Sequence, residues 1–446
     1  MFQRLILTGG LLLSMAVAPA RAELPTDLLQ EARRRVNFGL NPGLALVQVK
    51  AGKTPEIATM GRLALSATSA PVTADTPFEI GSLTKVLTAL EAALLEEQQR
   101  LSVRTPLAQL WPKDWQPISP KLSALTLSHL LSHTSGLPPL PDNFQPQQPA
   151  DPWQDYTPER LQAFLTAWQG GPQTYAYSNL GYTLVSGLLV AASDAENLST
   201  LMTRDLFQPL GMNTTGFSDP PGPWPVPHAD GIETHHWHFS EITAGVGGVR
   251  TSARDLARFL QAQLQPPPGL LGQAIRRSHQ PLAAGSQPVA YGWHCAKLNG
   301  QMLYWHNGET GGFISFMGFV PATGLAAAVL SNNTEAIEDL GLKLLNPESA
   351  LTAREDPRRT PAQLRPYTGR YRLSPNEEVH IHQDHGYLIV QITGQPALRI
   401  YPQPEPHTFA WHVVEARVVF EWHQQQVTGL KIYQNGAVYP AARLSP

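Results

Sequence analysis

The pattern of apolar and polar positions divides the chain into a helical middle with strands on either side. Residues 36–80 carry short apolar runs between turn residues and predict strands, including Gly43–Lys50. Helical spacing and long loops dominate from residue 82 to about 265, and strand-like runs return at 300–305, 313–320 and 325–330 before a helix over about 335–345. This order predicts an α+β fold, in which helices flank an antiparallel sheet and a helical lobe is inserted into it.

The pattern changes again after residue 352. Residues 353–363 are polar and contain two prolines, which is typical of a linker. Residues 364–446 form evenly spaced short apolar runs without helical spacing, separated by turns such as Asn435-Gly436. The sequence therefore predicts a C-terminal β-domain at 364–446, built as a small barrel or sandwich.

The first 22 residues have the features of an export signal. Arg4 is followed by an uncharged apolar stretch, Leu5–Val17, and Ala20-Arg21-Ala22 places small residues where signal peptidase cuts. We expect cleavage after Ala22, a first mature domain over 23–352 and a periplasmic or secreted protein. A retained N-terminal anchor is the alternative, and no other segment is long and apolar enough to span a membrane.

Composition limits the partners and the redox chemistry. The 446 residues carry a formal net charge of −3, and 15% of them are charged, so nothing favours nucleic acid or an anionic membrane. Cys295 is the only cysteine, which excludes an intrachain disulfide. The sequence gives no indication of the oligomeric state.

The first candidate for chemistry is Ser82, in Gly81-Ser82-Leu83-Thr84-Lys85. A helix beginning at Ser82 places Lys85 one turn further on the same face, where its amine reaches the hydroxyl. A serine becomes a nucleophile only when a neighbour takes its proton. The alternative is a helix-capping serine beside a solvated lysine, and this short motif also occurs by chance.

The second candidate is Tyr177-Ser178-Asn179, before an apolar helical run. A nearby ammonium would lower the pKa of the Tyr177 phenol and let it exchange a proton with Ser82. Asn179 offers a donor and an acceptor for Lys85 and for a substrate amide. The alternative is a packed loop tyrosine followed by a capping asparagine.

The third candidate is His306-Asn307-Gly308-Glu309, expected directly after a strand that ends at Trp305. Gly308 would let a substrate backbone approach, a backbone N–H here would complete an oxyanion hole, and a positively polarised His306 would form the opposite wall. The alternative is an ordinary turn.

Together, these segments resemble the penicillin-recognising serine hydrolases: class C β-lactamases, serine-type D-Ala-D-Ala carboxypeptidases and CubicO-like proteins. The resemblance covers about residues 30–350, and it extends to the segments Phe78–Lys85, Leu127–Pro138, Pro209–Met212, Gly245–Asp255 and Tyr291–Trp293. It implies that Ser82 is acylated, that Lys85 and Tyr177 transfer protons and that Asn179 contacts the substrate amide. It further implies an oxyanion hole made of the N–H groups of Ser82 and Glu309.

The chain departs from the family pattern at two positions. Asn307 replaces a threonine, and Glu309 replaces a small or hydroxyl residue that helps to bind a substrate carboxylate in the relatives. A carboxylate at Glu309 that faces the site would repel such a group unless the side chain points away. We therefore expect a D-amino-acid peptide or related small substrate, with a β-lactam or an ester as the alternatives. A catalytically silent binding protein is the alternative outside the enzymes.

Several histidines offer weaker patterns, and none predicts a metal. His235, His236 and His238 lack the spacing of a zinc helix. His129 and His133 lie four residues apart, but the family resemblance explains that segment as structural. His380 and His382 are expected on a solvated strand face. The predicted mechanism uses neither a metal nor a cofactor.

Overall fold

The computed structural model describes residues 24–113, 115, 119–282, 288–411 and 414–444, and the predicted signal segment 1–22 lies outside them. The helices are α1 (Thr26–Asn37), α2 (Leu83–Glu97), α3 (Leu107–Leu110), α4 (Pro120–Ser123), α5 (Leu127–Leu131), α6 (Pro158–Ala167), α7 (Asn179–Ala191), α8 (Leu198–Met202), α9 (Ala244–Gly247), α10 (Ala253–Leu264), α11 (Leu270–Ser278), α12 (Glu338–Leu345) and α13 (Pro361–Leu364). No helix among the described residues is long and apolar enough to cross a membrane.

The strands fall into a first group up to Ser331 and a second group after Gly369. The first comprises β1 (Gly43–Lys50), β2 (Glu56–Gly61), β3 (Pro77–Glu79), β4 (His228–Ala229), β5 (Ile232–Glu233), β6 (Arg250–Ser252), β7 (His294–Leu298), β8 (Gln301–Glu309), β9 (Ile314–Val320) and β10 (Leu325–Ser331). The second comprises β11 (Gly369–Ser374), β12 (Glu377–Asp384), β13 (Tyr387–Ile392), β14 (Leu398–Pro402), β15 (Thr408–Ala410), β16 (Ala416–His423), β17 (Gln426–Gln434) and β18 (Ala437–Arg443).

A six-stranded antiparallel sheet in the order β2-β1-β10-β9-β8-β7 organises the first part of the chain. Helices cover both of its faces. Alternate residues of β1 therefore enter different cores: Ala45 and Val47 pack with α2 and α10, whereas Leu44 and Leu46 pack with α1 and α12. Helices α3–α9, between α2 and α10, form the inserted lobe, which confirms the predicted α+β architecture.

Helix α2 lies at the centre of this part. Thirteen consecutive residues, Leu83–Leu95, are buried, because the sheet covers one side of the helix and the lobe covers the other. A helix fixed on all sides is a rigid support for the residue at its N-terminus, which is Ser82.

The C-terminal part is a closed barrel of eight antiparallel strands, β11–β18, so of the two predicted forms the barrel is correct and the sandwich is wrong. The pattern missed β18, which contains Pro440. Proline interrupts ladders that are hydrogen-bonded on both sides. Here β18 pairs with β11 only through Ala442 and Arg443, so Pro440 faces no partner on that side.

Three other local expectations change. The third motif does not follow a strand but forms the last four residues of β8, paired with β9 from His306–Met317 to Glu309–Ile314. Helix α1 and the short strand β7 were not predicted. In α1 the few apolar residues lie among many polar ones, so its helical spacing is hard to recognise in the sequence. Residues 351–360 have no helix or strand, but the predicted linker 353–363 ends inside α13.

Candidate active site

Ser82 lies in the turn between β3 and α2, at the N-cap position of the helix. Its hydroxyl makes no capping hydrogen bond, so the structure does not support the alternative of a helix-capping serine. Instead, Lys85 Nζ donates to Ser82 Oγ over 2.9 Å. The predicted helical spacing therefore places the amine against the hydroxyl.

Lys85 is completely buried, with 0% of its side chain exposed. Its second hydrogen bond goes to the carbonyl oxygen of Val246 at 2.8 Å, and not to Asn179 as expected. Burial disfavours the charged amine and lowers the pKa of Lys85 to about 7. Near neutral pH, a large fraction of the amine is therefore unprotonated and able to accept a proton from Ser82.

Tyr177 lies on the other side of the same pair. Its hydroxyl lies near the Ser82 side chain, which favours the phenolate, and Lys85 Nζ lies 5.1 Å from its ring centroid. The expected lowering of the phenol pKa is wrong, because burial outweighs the contact with Ser82 and raises the pKa of Tyr177 above its usual value. The tyrosine therefore stays neutral, and Lys85 is the group suited to act as the base.

Three histidine rings surround Tyr177. The centroids of His133, His294 and His306 lie 4.4, 6.3 and 6.2 Å from the tyrosine centroid, and His294 stacks on His306 at 4.6 Å. Burial, with the charge of Lys85 as a smaller cause, lowers the pKa of each imidazole, to about 4 for His294. The site therefore holds neutral rings around one lysine.

The expected positively polarised His306 is wrong for the same reason. Burial first, and then the neighbouring His294 and Lys85, lower the pKa of His306 well below its ordinary value. Nδ1 of His306 is hydrogen-bonded to the carbonyl oxygen of Asn307, which assigns the proton to Nδ1. Its buried Nε2 is an acceptor with no hydrogen-bond partner among the described residues.

The end of β8 packs directly on the turn that carries Ser82. A Cβ added at Gly308 would lie 2.0 Å from the Ile80 carbonyl oxygen and 2.5 Å from the Ser82 backbone nitrogen. A Cβ added at Gly81, whose φ is +53°, would lie 2.5 Å from the Glu309 nitrogen. Only glycine at both positions allows the end of β8 to pack this closely on the turn that carries Ser82.

Asn307 and Glu309 lie on the opposite face of β8 from Gly308, beside the start of α12. Asn307 Nδ2 donates to Glu338 Oε1 over 3.2 Å. Loss of hydration raises the pKa of Glu309, and the Glu338 carboxylate raises it further. Glu309, which lines the cleft, therefore has a second carboxylate beside it, and within the described ranges neither forms a salt bridge to a lysine or arginine.

A cavity of about 420 Å³ opens above Ser82. Asn179 borders it, together with an aromatic wall of Trp153, Trp237 and Phe239. The planes of Trp153 and Phe239 are 19° apart, with centroids at 5.6 Å. No sequence pattern predicted this wall or His294 as a neighbour of Tyr177, because these residues come from separate loops and strands.

The other histidines have local partners. His236 pairs with Glu79 at 2.8 Å and His238 with Asp151 at 2.7 Å. His129 Nδ1 accepts from the backbone of Thr126 in a capping box at the start of α5. His380 and His382 share an exposed strand face, as expected, and Cys295 is a buried free thiol.

Comparison with known proteins identifies the family. Residues 33–348 match the family model described as Beta-lactamase. A β-lactamase of Escherichia coli K12 is 29% identical over 235 residues, which are 50% of this chain and 57% of that protein. Penicillin-binding protein 4* of Bacillus subtilis is 25% identical over 410 residues, covering 84% of this chain and 89% of the relative.

The solved structures agree on the fold. The β-lactamase/D-alanine carboxypeptidase of Pseudomonas syringae superposes with a TM-score of 0.62 at 21% identity, covering 73% of this chain and 98% of that one. The chain belongs to the β-lactamase family, which confirms the resemblance based on the three motifs.

Proposed function

We propose that the protein is a serine hydrolase that works through an acyl-enzyme on Ser82. The observation that carries this proposal is the buried Lys85, whose pKa is about 7 and whose Nζ lies 2.9 Å from Ser82 Oγ. Unprotonated Lys85 takes the hydroxyl proton while Oγ bonds to the carbonyl carbon of an amide or ester. The carbonyl oxygen becomes an oxyanion that receives hydrogen bonds from the N–H groups of Ser82 and Glu309.

The intermediate then collapses to products. The bond to the leaving amine or alcohol breaks, and the leaving group takes a proton from the neutral Tyr177 hydroxyl, which Lys85 replenishes. Water attacks the Ser82 ester by the same route, releases the acid and restores the serine. The contact between Ser82 and Tyr177 supports this assignment, since it places a proton donor beside the departing atom.

For the substrate we propose a D-amino-acid peptide of the D-alanyl type, or a related small amide, that places no free carboxylate at the β8 end of the cleft. Relatives named penicillin-binding protein match most of the chain, which favours this class. Glu309 and Glu338 disfavour a carboxylate at the β8 end of the cleft, where β-lactams would place one. A β-lactamase remains the alternative because a named β-lactamase is among the relatives, and an esterase is the other.

The test of the mechanism is acylation of Ser82. A fluorophosphonate probe should add one adduct to the intact protein, mapped by peptide mass spectrometry to Ser82, and Ser82→Ala should lose both the adduct and hydrolysis of a D-alanyl amide. Ser193→Ala, which alters a hydroxyl at the end of α7, is the matched control. Unchanged hydrolysis in Ser82→Ala would show that the mechanism is wrong, and a wild-type protein without any adduct would favour the silent binding protein.

The test of the substrate is a panel offered to the wild-type protein. Turnover of D-alanyl amides and peptides with slow or absent turnover of nitrocefin supports the D-peptide proposal. Fast nitrocefin turnover contradicts it and favours the β-lactamase. Turnover of p-nitrophenyl esters alone favours the esterase.

We also propose that the chain is exported, on the basis of Arg4, the apolar stretch Leu5–Val17 and the small residues before Glu23. Expression in a bacterial host should give a periplasmic protein with Glu23 at its N-terminus. An uncleaved chain in the cell membrane would indicate the retained anchor instead.

A further inference from the structure

The outer face of the barrel carries buried residues that face the catalytic part of the chain. In β13 and β14, Leu388, Val390 and Ile400 point into the barrel core. Because side chains alternate along a strand, their neighbours point outward. Tyr387, Ile389 and Tyr401 are nevertheless at most 3% exposed, since they pack against Leu40, with Phe38 and Ile232 beside it.

Arg399 lies at the centre of this contact with 0% of its surface exposed. Its guanidinium lies 3.8 Å from the centroid of the Tyr387 ring. Nη2 donates to the carbonyl oxygen of Gly231 at 2.9 Å, and Nη1 donates to that of Gly39 at 3.4 Å. Burying a cation is costly unless its N–H groups find acceptors. Arg399 finds them in the carbonyl oxygens of Gly231 and Gly39, so this contact depends on the particular way in which the barrel packs and not only on apolar burial.

The target of Arg399 is the tip of the β4–β5 hairpin. Asp230 and Gly231 form its turn with φ values of +52° and +75°. The Tyr401 hydroxyl donates to the Asp230 carboxylate. A Cβ added at Gly231 would lie 2.0 Å from Arg399 Nη1, so the turn and the guanidinium are in close contact. The barrel therefore holds both residues of the turn.

The same hairpin forms one wall of the catalytic cleft. Ala229, from β4, and Thr334 both line the cavity above Ser82. The Asp230 N–H donates to Thr334 Oγ1 at 3.0 Å, and the Gly231 N–H donates to Asn333 Oδ1 at 2.9 Å. The hairpin thus lies between the barrel and the cleft, with hydrogen bonds on both sides.

A second connection leads from the hairpin to the end of β8. The His228 N–H donates to the carbonyl oxygen of Gly312 at 3.1 Å. Gly311, the preceding residue, lines the cavity two residues after Glu309. A shift of the hairpin therefore moves the wall formed by Ala229 and Thr334 and reaches the β8 end of the cleft.

We propose that Arg399 and Tyr401 of the barrel are positioning residues for the catalytic cleft, which set how a substrate is held by fixing the β4–β5 hairpin. This inference rests on the proposed hydrolase function. Ser82 and Lys85 are held separately by α2 and Val246, so loosening the hairpin leaves the nucleophile intact. Substrate binding then suffers more than the chemical step, because the wall contacts the substrate while the reacting groups keep their places.

The experiment compares Arg399→Lys and Tyr401→Phe with the wild type in the full-length protein. Both variants should raise KM for a D-alanyl peptide about tenfold and change kcat about twofold or less. The rate at which a small fluorophosphonate labels Ser82 should stay unchanged. Hydrogen exchange at the amides of residues 228–233 should become faster, because the hairpin loses its support from the barrel.

Two matched substitutions elsewhere in the barrel serve as controls. Tyr371→Phe removes a hydroxyl that donates to the Tyr367 carbonyl oxygen inside the barrel, and Arg417→Lys alters an exposed arginine that lies over Tyr433. Both should leave KM unchanged. A variant at Arg399 or Tyr401 whose KM equals the wild-type value, or an equal KM rise in the controls, overturns the proposal.

Failure of the two proposals can be told apart. If the fluorophosphonate does not label Ser82 in the wild type, the hydrolase function fails. If labelling is normal and KM is insensitive to Arg399 and Tyr401, only the positioning role fails. The number of labelled sites per protein also corrects kcat for any fraction of a variant that is unfolded.

Discussion

The two ends of the catalytic cleft differ in how their charged residues are held. At the α2 end, Lys85 is buried, hydrogen-bonded to Ser82 and Val246, and surrounded by neutral rings. At the β8 end, lost hydration and the like-charged neighbour Glu338 both raise the pKa of Glu309. The surroundings of Lys85 lower its pKa, and we expect substitutions there to be poorly tolerated. We expect the β8 end to repel a substrate that carries a carboxylate there and to vary without loss of the nucleophile, so that the proposed reaction type and substrate choice depend on separate parts of this site.

The largest expected effect comes from removing the base. Lys85→Met should lower kcat/KM by about 10³-fold, because Ser82 loses its proton acceptor. The measurement is steady-state hydrolysis of a D-alanyl amide, with Lys343→Met on α12 as a control that should retain activity. A loss of less than about threefold in Lys85→Met would falsify the role of Lys85 as the base.

The same variant should be more stable than the wild type. The pKa of Lys85 is about 7 in the folded chain and 10.5 in the unfolded chain. At any pH between these values, the unfolded chain therefore binds more protons than the folded chain. Wild-type stability therefore rises with pH through this window, and it is lowest where the buried amine is fully charged. Lys85→Met should lose this rise and gain about 1–3 kcal/mol at pH 7, measured by denaturant unfolding.

The next effect tests the proton donor. Tyr177→Phe keeps the ring among His133, His294 and His306 but removes the hydroxyl, so kcat for amides should fall about 10²-fold. Esters carry better leaving groups and should lose less. An equal loss for an amide and for its p-nitrophenyl ester would contradict a role in protonating the leaving group.

The dependence of kcat/KM on pH should report the titration of Lys85, at the α2 end of the cleft. Because Lys85 must be unprotonated, kcat/KM for a neutral substrate should rise about tenfold per pH unit below pH 7 and level off above it. His133, His294 and His306 should add no inflection near neutrality, because burial keeps their pKa values well below it. A profile that is flat between pH 5 and 8 would contradict the tuned lysine.

The smallest effect concerns the β8 end. Glu309→Gln should raise kcat/KM about fivefold for a substrate with a carboxylate at that end, such as nitrocefin, and leave a neutral amide unchanged. Glu348→Gln, a change of the same charge on the exposed segment after α12, is the control. An equal gain on the neutral amide would show that Glu309 acts on something other than substrate charge.

The sequence allowed much of the site to be predicted, but not its electrostatics. The spacing of Ser82 and Lys85 is a local property of one helix, and it predicted the contact. The phenol of Tyr177 and the imidazole of His306 were assigned the wrong charge tendencies, because burial outweighs nearby partners and sequence does not give burial depth. The aromatic wall and Val246 were missed because no local pattern connects them to Ser82.

By itself, the sequence determined the family, the α+β architecture with a C-terminal β-domain, and the order of the three motifs, since these follow from local periodicity and from short motifs. Only the tertiary structure decided that Lys85 is buried against Ser82 with a lowered pKa, that Glu338 lies beside Glu309 at the edge of the cleft, and that the barrel contacts the β4–β5 hairpin through Arg399. These facts depend on desolvation and on contacts between residues far apart in the chain, such as Arg399 and Gly231. Neither quantity is encoded in a local pattern.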